Sequence, residues 1–338
     1  MKRKVIFGIL FLIMVMTAFS DQSDDAMRRI GDDEKENVSG TIYTFFFNMV
    51  YEPFPYPLIG FVNIAFGNHS IFQLGYVNWN SEDFNGFQAA FTNTVGGDFK
   101  GFQAGFVNVN KGETNGMQAG FVNTSRKMEG VQIGFVNIEA RDMKGLQLGF
   151  VNYAESINGV PVGFISIVKN DGYMAVEYFN SEYHNYNLSF KTGIDKLYTS
   201  IVVSYNQNYE NTWDNFALGV GIGSILPIGK IFYFNPELTS ISPFISNFSY
   251  ESFVPYFGVN FKKFSVAAGP VITWVRRNNK NNVDESDHQP SWVKKYLRNY
   301  NDNMDKTPPK PNYSLYYHEI NDNNSISIGF RAAARLRF

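Results

Sequence analysis

One short phrase recurs along this chain from Gly60 to Ser166 and leaves few folds open to it. It reads Gly-Phe-Val-Asn at Gly60–Asn63, Gly105–Asn108, Gly120–Asn123, Gly134–Asn137 and Gly149–Asn152. Looser copies stand at Gly75–Asn78, Ala90–Asn93 and Gly163–Ser166. Most follow a Gly-x-Gln-x element, as in Gly101-Phe102-Gln103-Ala104 and Gly145-Leu146-Gln147-Leu148. A spacing of about 15 residues over so many copies marks a repeat architecture. Within the unit Phe99–Val109, Phe102, Ala104 and Phe106 share one face of a strand, and Gly101, Gln103 and Gly105 share the other. Polar turns such as Asn110-Lys111-Gly112-Glu113 separate the units, and no helical period is present. The repeats are β.

Two arrangements satisfy this pattern. In a β-solenoid each unit is one coil and identical residues stack in register: Phe106 on Phe121, Gln103 on Gln118, Asn108 on Asn123. Stacked amides hydrogen-bond along the axis. That gives the columns Gln73, Gln88, Gln103, Gln118, Gln132, Gln147 and Asn78, Asn93, Asn108, Asn123, Asn137, Asn152 a reason to recur. In an up-and-down barrel each unit is instead one strand, with Phe102, Ala104 and Phe106 facing lipid. Neighbouring strands would then point the phrase at opposite ends, yet the turns all look alike, unlike the short turns and long loops of outer-membrane barrels. We expect the solenoid, with a single large barrel as the alternative.

The N-terminus reads as an export signal over residues 1–20. Lys2, Arg3 and Lys4 precede an uncharged apolar run, Val5–Met16, and Ala18-Phe19-Ser20 supplies the small-x-small cleavage pattern. With no cysteine in the chain, a lipid-anchored lipoprotein and disulfides are both excluded. Residues 21–57 read as an acidic tether followed by a first strand over Thr41–Val50, broken from the repeats by Pro53, Pro55 and Pro57. The repeat domain spans 58–168. A net charge of −2 implies no polyanionic partner, nucleic acid included.

From residue 169 to 338 individual strands replace the repeats. Phe216, Leu218, Val220 and Ile222 alternate with Ala217, Gly219, Gly221 and Gly223. Similar patterns lie near Tyr173–Tyr178 and at Asn187–Thr192, Tyr198–Tyr205, Ile231–Asn235, Val254–Phe261 and Ser265–Val275. The last strand puts Ile326, Ile328, Phe330, Ala332, Ala334, Leu336 and Phe338 on one face and Ser327, Gly329, Arg331, Arg335 and Arg337 on the other. An apolar outer face, a basic inner face and the terminal Phe338 fit the closing strand of an antiparallel transmembrane barrel of about eight strands. A polar stretch over 276–324 reads as its long external loop, either simply disordered or, as the alternative, displaying a contact site with Trp292, Tyr296, Tyr300, Tyr313, Tyr316 and Tyr317 as aromatic anchors.

The repeat phrases carry a resemblance, together with Gly159-Val160-Pro161-Val162-Gly163-Phe164 and Lys169-Asn170-Asp171-Gly172-Tyr173. So do Leu188-Ser189-Phe190-Lys191-Thr192-Gly193, Asn235-Pro236-Glu237-Leu238 and Ala268-Gly269-Pro270. These segments resemble a family of bacterial surface-repeat proteins of spirochaetes and Bacteroidetes. The resemblance implies an exported, outer-membrane-associated β protein and carries over no catalytic or ligand residue.

The residues give no catalytic motif either. His69, His184, His288 and His318 fall in no metal-ligand spacing, and no nucleophile elbow or phosphate loop occurs. No metal or cofactor is expected. The function expected is a non-enzymatic envelope role, with membrane lipid, the barrel-insertion machinery and a host or envelope protein as partners. The alternatives are a channel of about sixteen strands built from repeats and tail together and, third, an outer-membrane hydrolase.

Overall fold

The computed structural model describes residues 41–51, 54–207, 215–244, 248–277 and 309–338. The expected signal, the tether up to residue 40 and residues 278–308 of the polar stretch, with Trp292, Tyr296 and Tyr300, lie outside the described residues. The chain forms two compact units, the first reaching Gly130 and the second running from Val131 to Phe338.

The first unit is a parallel stack. Its strands are β1 (Ile42–Tyr43), β2 (Phe47–Tyr51), β3 (Leu58–Ile59), β4 (Val62–Phe66), β5 (His69–Leu74), β6 (Val77–Asn80), β7 (Phe84–Val95), β8 (Phe99–Asn110) and β9 (Glu113–Ser125). From β2 onward each pairs in parallel with its equivalent one repeat later, so that Gln88 lies beside Gln103 and Asn93 beside Asn108. Gln103 then lies beside Gln118 and Asn108 beside Asn123. Parallel, in-register coils are the solenoid, and they rule out the single large barrel, whose neighbouring strands would have to alternate in direction. The stack starts earlier than the repeat phrase does. The expected strand Thr41–Val50 breaks at Thr44, and its second half, β2, pairs in parallel with β4, putting Asn48 beside Asn63.

The interior of the coils is mixed, with amide columns running beside apolar ones. Four columns point inward: the Asn column from Asn48 to Asn123, the Gln column from Gln73 to Gln118, the column Val50, Ala65, Asn80, Val95, Asn110, and the column His69, Phe84, Phe99, Thr114. The phrase's aromatic residue points outward. Phe61, Tyr76, Phe91, Phe106 and Phe121 are 42–49% exposed, and their rings stack face to face at 4.9–5.1 Å.

Strand β10 (Lys127–Val168) carries the remaining coils, mostly in the second unit. There the columns continue as Gln132 to Gln147, Asn137 to Asn152 and Phe135 to Phe150 to Phe164. The strands that follow are β11 (Tyr173–Phe179), β12 (Tyr186–Ile194), β13 (Leu197–Tyr205), β14 (Phe216–Gly223), β15 (Leu226–Ile228), β16 (Phe232–Pro243), β17 (Phe248–Phe261), β18 (Phe264–Arg277), β19 (Tyr316–Asn321) and β20 (Asn324–Arg337). All pairings among them are antiparallel, in the order β11-β12-β13-β14-β16-β17-β18-β20, and β20 returns to β11. This closes a barrel of eight strands, with β15 and β19 as additions.

Three details differ from the sequence reading. The expected loop 276–324 is entered by β18, which runs to Arg277, and contains β19, which pairs with the upper half of β20 while β11 pairs with its lower half. β16 runs past Pro236 to Pro243, and β17 starts before Pro255. Pro236 and Pro255 face one another, so the two missing N–H groups fall on one rung and neither strand ends there.

Candidate functional site

The amide ladders place every predicted repeat residue. Asn48, Asn63, Asn78, Asn93 and Asn108 each donate through Nδ2 to Oδ1 of the asparagine one coil later, at 2.7–2.9 Å. The second Nδ2 hydrogen reaches a backbone carbonyl of that next coil, as from Asn93 to Ala104 O (2.9 Å) and from Asn108 to Ala119 O (3.0 Å). Glutamines run the other way. Gln88, Gln103 and Gln118 donate through Nε2 to Oε1 of the glutamine one coil earlier, at 2.6, 2.7 and 3.0 Å. The two columns of amide dipoles therefore oppose and offset one another. In the second unit Asn137 donates to Asn152 and Gln147 to Gln132, both at 2.9 Å, and Asn152 ends its ladder on Ser166 Oγ at 3.2 Å. These residues are buried and make one another's hydrogen bonds, so they hold coils together.

A buried rung has more to lose than an end. Asn108→Leu keeps the branched heavy-atom skeleton but removes a donor to Asn123 and Ala119 and an acceptor for Asn93. It is expected to cost at least about 2 kcal/mol. Hydrogen exchange across β8 and β9 should rise accordingly, and more than for Asn48→Leu at the start of the ladder.

The barrel wall separates apolar from ionic side chains. Phe330, Leu336 and Phe338 are 54%, 47% and 44% exposed, as expected of the closing strand. Leu188, Val203, Leu218, Val220, Leu238, Phe257 and Ile272 extend the apolar surface around the outside. Inward, β20 brings Arg331 and Arg335 into the lumen, both buried.

The lumen is not simply basic, which is the correction to the expected face. Glu177 of β11 and Glu237 of β16 are also fully buried there, with Lys191 of β12 between them. Lys191 Nζ lies 2.8 Å from Glu177 Oε1 and also donates to Glu237. Arg335 Nε donates to the other oxygen of Glu177, and Tyr198 Oη donates to Glu237. Asn235 Nδ2 donates to Tyr198 Oη at 2.7 Å. The Arg335 guanidinium sits 5.3 Å from the Tyr256 ring and 5.6 Å from that of Tyr233, positions that attract a cation. Further along the lumen Arg331 lies 3.8 Å from Glu182, donates to Ser252 Oγ at 3.2 Å and stands over the Phe179 ring at 4.9 Å.

Three carboxylates thus face three cations, and tyrosines fill the gaps. A cleft lined by Tyr173, Tyr233 and Arg335 holds about 10 Å³, room for about one water. Sequence reasoning singled out the arginines but not Glu177, Lys191 or Glu237. Their signal was a lone charge inside an otherwise apolar strand on the inward parity, as in Met174-Ala175-Val176-Glu177-Tyr178-Phe179. Among the described residues no three of His, Asp and Glu gather as a metal site. Comparison with family models, curated proteins and solved structures finds no match for this chain.

Proposed function

We propose that the protein is a non-enzymatic outer-membrane anchor. Its closed barrel sits in the bilayer and holds the solenoid at the periplasmic face as a scaffold for envelope partners. The observation that carries this reading is the barrel wall, with an apolar outer surface around a lumen filled by neutralising ion pairs. A lumen lined by mutually neutralising side chains supports a scaffold over a channel or a hydrolase.

Orientation follows from the turns. Asp195-Lys196 and Lys262-Lys263 are tight turns at one end of the barrel. The start of β11 and the C-terminus share that end: Phe338 N donates to Met174 O at 2.9 Å, and Arg337 pairs with Asp195 at 3.0 Å. The connections β11–β12, β13–β14 and β18–β19 are at the other end, whereas β14–β16, which carries β15, shares the tight-turn end. Outer-membrane barrels keep short turns in the periplasm. The solenoid enters β11 from the short-turn end. Repeats on the periplasmic side meet envelope proteins, not host proteins.

Three measurements test this. Protein extracted from outer membrane should migrate differently on a denaturing gel before and after boiling, and should give no conductance steps in planar bilayers. On intact cells, added protease should cut within residues 278–308 and spare the repeats. Steady conductance would favour a pore through the eight-strand barrel, and cleavage within Gly60–Ser166 on intact cells would reverse the orientation.

A further inference from the structure

The last coil of the solenoid meets the barrel by its stacking edge. Coils of a parallel stack join through backbone N–H and C=O groups that point along the stack. At the end of β10 two such groups turn to the barrel. Ser166 N donates to Thr192 Oγ1 at 3.1 Å, and Phe164 O accepts from Thr199 Oγ1 at 3.4 Å. Thr192 and Thr199 face one another across β12 and β13. They lie on the outward parity with Leu188, Phe190 and Val203, because Ser189, Lys191, Tyr198 and Ser200 point into the lumen. The stacking direction of the last coil is therefore aimed at the outer wall of the barrel. The coils between Val131 and Val168, joined to that wall edge-on, leave it sideways, in the plane of any bilayer the barrel crosses.

The coils that do so are amphipathic. Phe135, Phe150 and Phe164 are 45%, 44% and 37% exposed and stack at 4.9 Å. Ile133, Leu148 and Val162 stand beside them, two residues earlier in each coil. Charged and polar groups form separate columns: Ser156 donates to Asp142, and Lys169 Nζ donates to Glu155 at 2.6 Å. Because equivalent positions stack, the aromatic and charged columns do not mix.

We propose that the aromatic face of the coils between Val131 and Val168 lies against the acyl chains of the periplasmic leaflet of the membrane that holds the barrel. This inference rests on the outer-membrane reading above. Two observations select lipid over a second copy or a soluble protein. The stack leaves the barrel wall at the lipid-facing surface itself, and its exposed apolar column begins at Phe164, on the residue that touches that wall.

Photocrosslinking of the full chain in its native membrane decides the matter. p-Benzoylphenylalanine replaces Phe150 on the aromatic face, Lys144 on the polar face, or Phe257 on the barrel wall, where the native ring is 61% exposed. After irradiation, intact-protein mass should show phospholipid adducts at positions 150 and 257, with several-fold lower yield at position 144. Lipid adducts at 257 but none at 150 overturn the inference and leave the barrel reading intact. An adduct at 150 to a second copy or another protein, in place of lipid, overturns it too. Absence of lipid at 257 as well overturns the barrel reading, and the inference with it.

Discussion

Gly101→Ala is expected to open the solenoid. Gly101 has a φ of 135°, a conformation that side chains other than glycine's rarely adopt, and a Cβ there would sit 1.9 Å from the carbonyl oxygen of Gly86. That oxygen belongs to the backbone of the neighbouring coil and cannot move without breaking its rung. Gly86 and Gly116 repeat the arrangement, so the column is a shared corner where coils pass too closely for any side chain. Strain and overlap together should cost more than about 3 kcal/mol. Gly229 is the internal comparison: φ is 71°, but a methyl group there would have no atom within 4 Å, so Gly229→Ala should cost only about 1–2 kcal/mol. The readout in the full chain is hydrogen exchange and proteolysis, across β7–β9 for Gly101→Ala and across β15–β16 for Gly229→Ala. Protection unchanged by Gly101→Ala would mean that the coils are not packed at this corner as described.

Lys191→Met should weaken the barrel by about 3–5 kcal/mol, the usual cost of removing one partner from a buried ion pair. The methionine fills similar space, so the loss is electrostatic. Glu237 keeps the Tyr198 hydroxyl and Glu177 keeps Arg335, but the lumen is left with one uncompensated negative charge. The measurement is the temperature at which the fast-migrating, unboiled form disappears on a gel, which should fall markedly. Adding Glu237→Gln to Lys191→Met restores the charge balance and should recover much of the loss. If Lys191→Met alone melts with the native chain, the lumen is hydrated and open, and a pore through the eight-strand barrel replaces the plugged anchor.

The two regions differed in how much their sequence revealed. In the repeats the stacking partners could be written down residue by residue, because an in-register parallel stack turns sequence period directly into contact. Asn48 was the exception. Phe46-Phe47-Asn48 occupies the slot of Phe61-Val62-Asn63, but with glycine absent before it the phrase was hard to see. In the barrel, alternation gave the inner and outer faces of β20 and β14 correctly, while prolines concealed the true lengths of β16 and β17.

Sequence alone determined what repeats: period, β structure, amide columns and a terminal strand with one greasy side. These are local or translational properties, written into spacing and parity. Only the tertiary structure decided that the phrase's asparagine points in and its phenylalanine points out, because a corner within the phrase interrupts simple alternation. It alone brought Glu177, Lys191, Glu237 and Arg335 together from four strands, since closing a barrel joins residues whose separation along the chain carries no trace of their contact. The edge-on contact of the last coil with Thr192 and Thr199 has the same origin: it depends on where two sheets meet, which no period encodes.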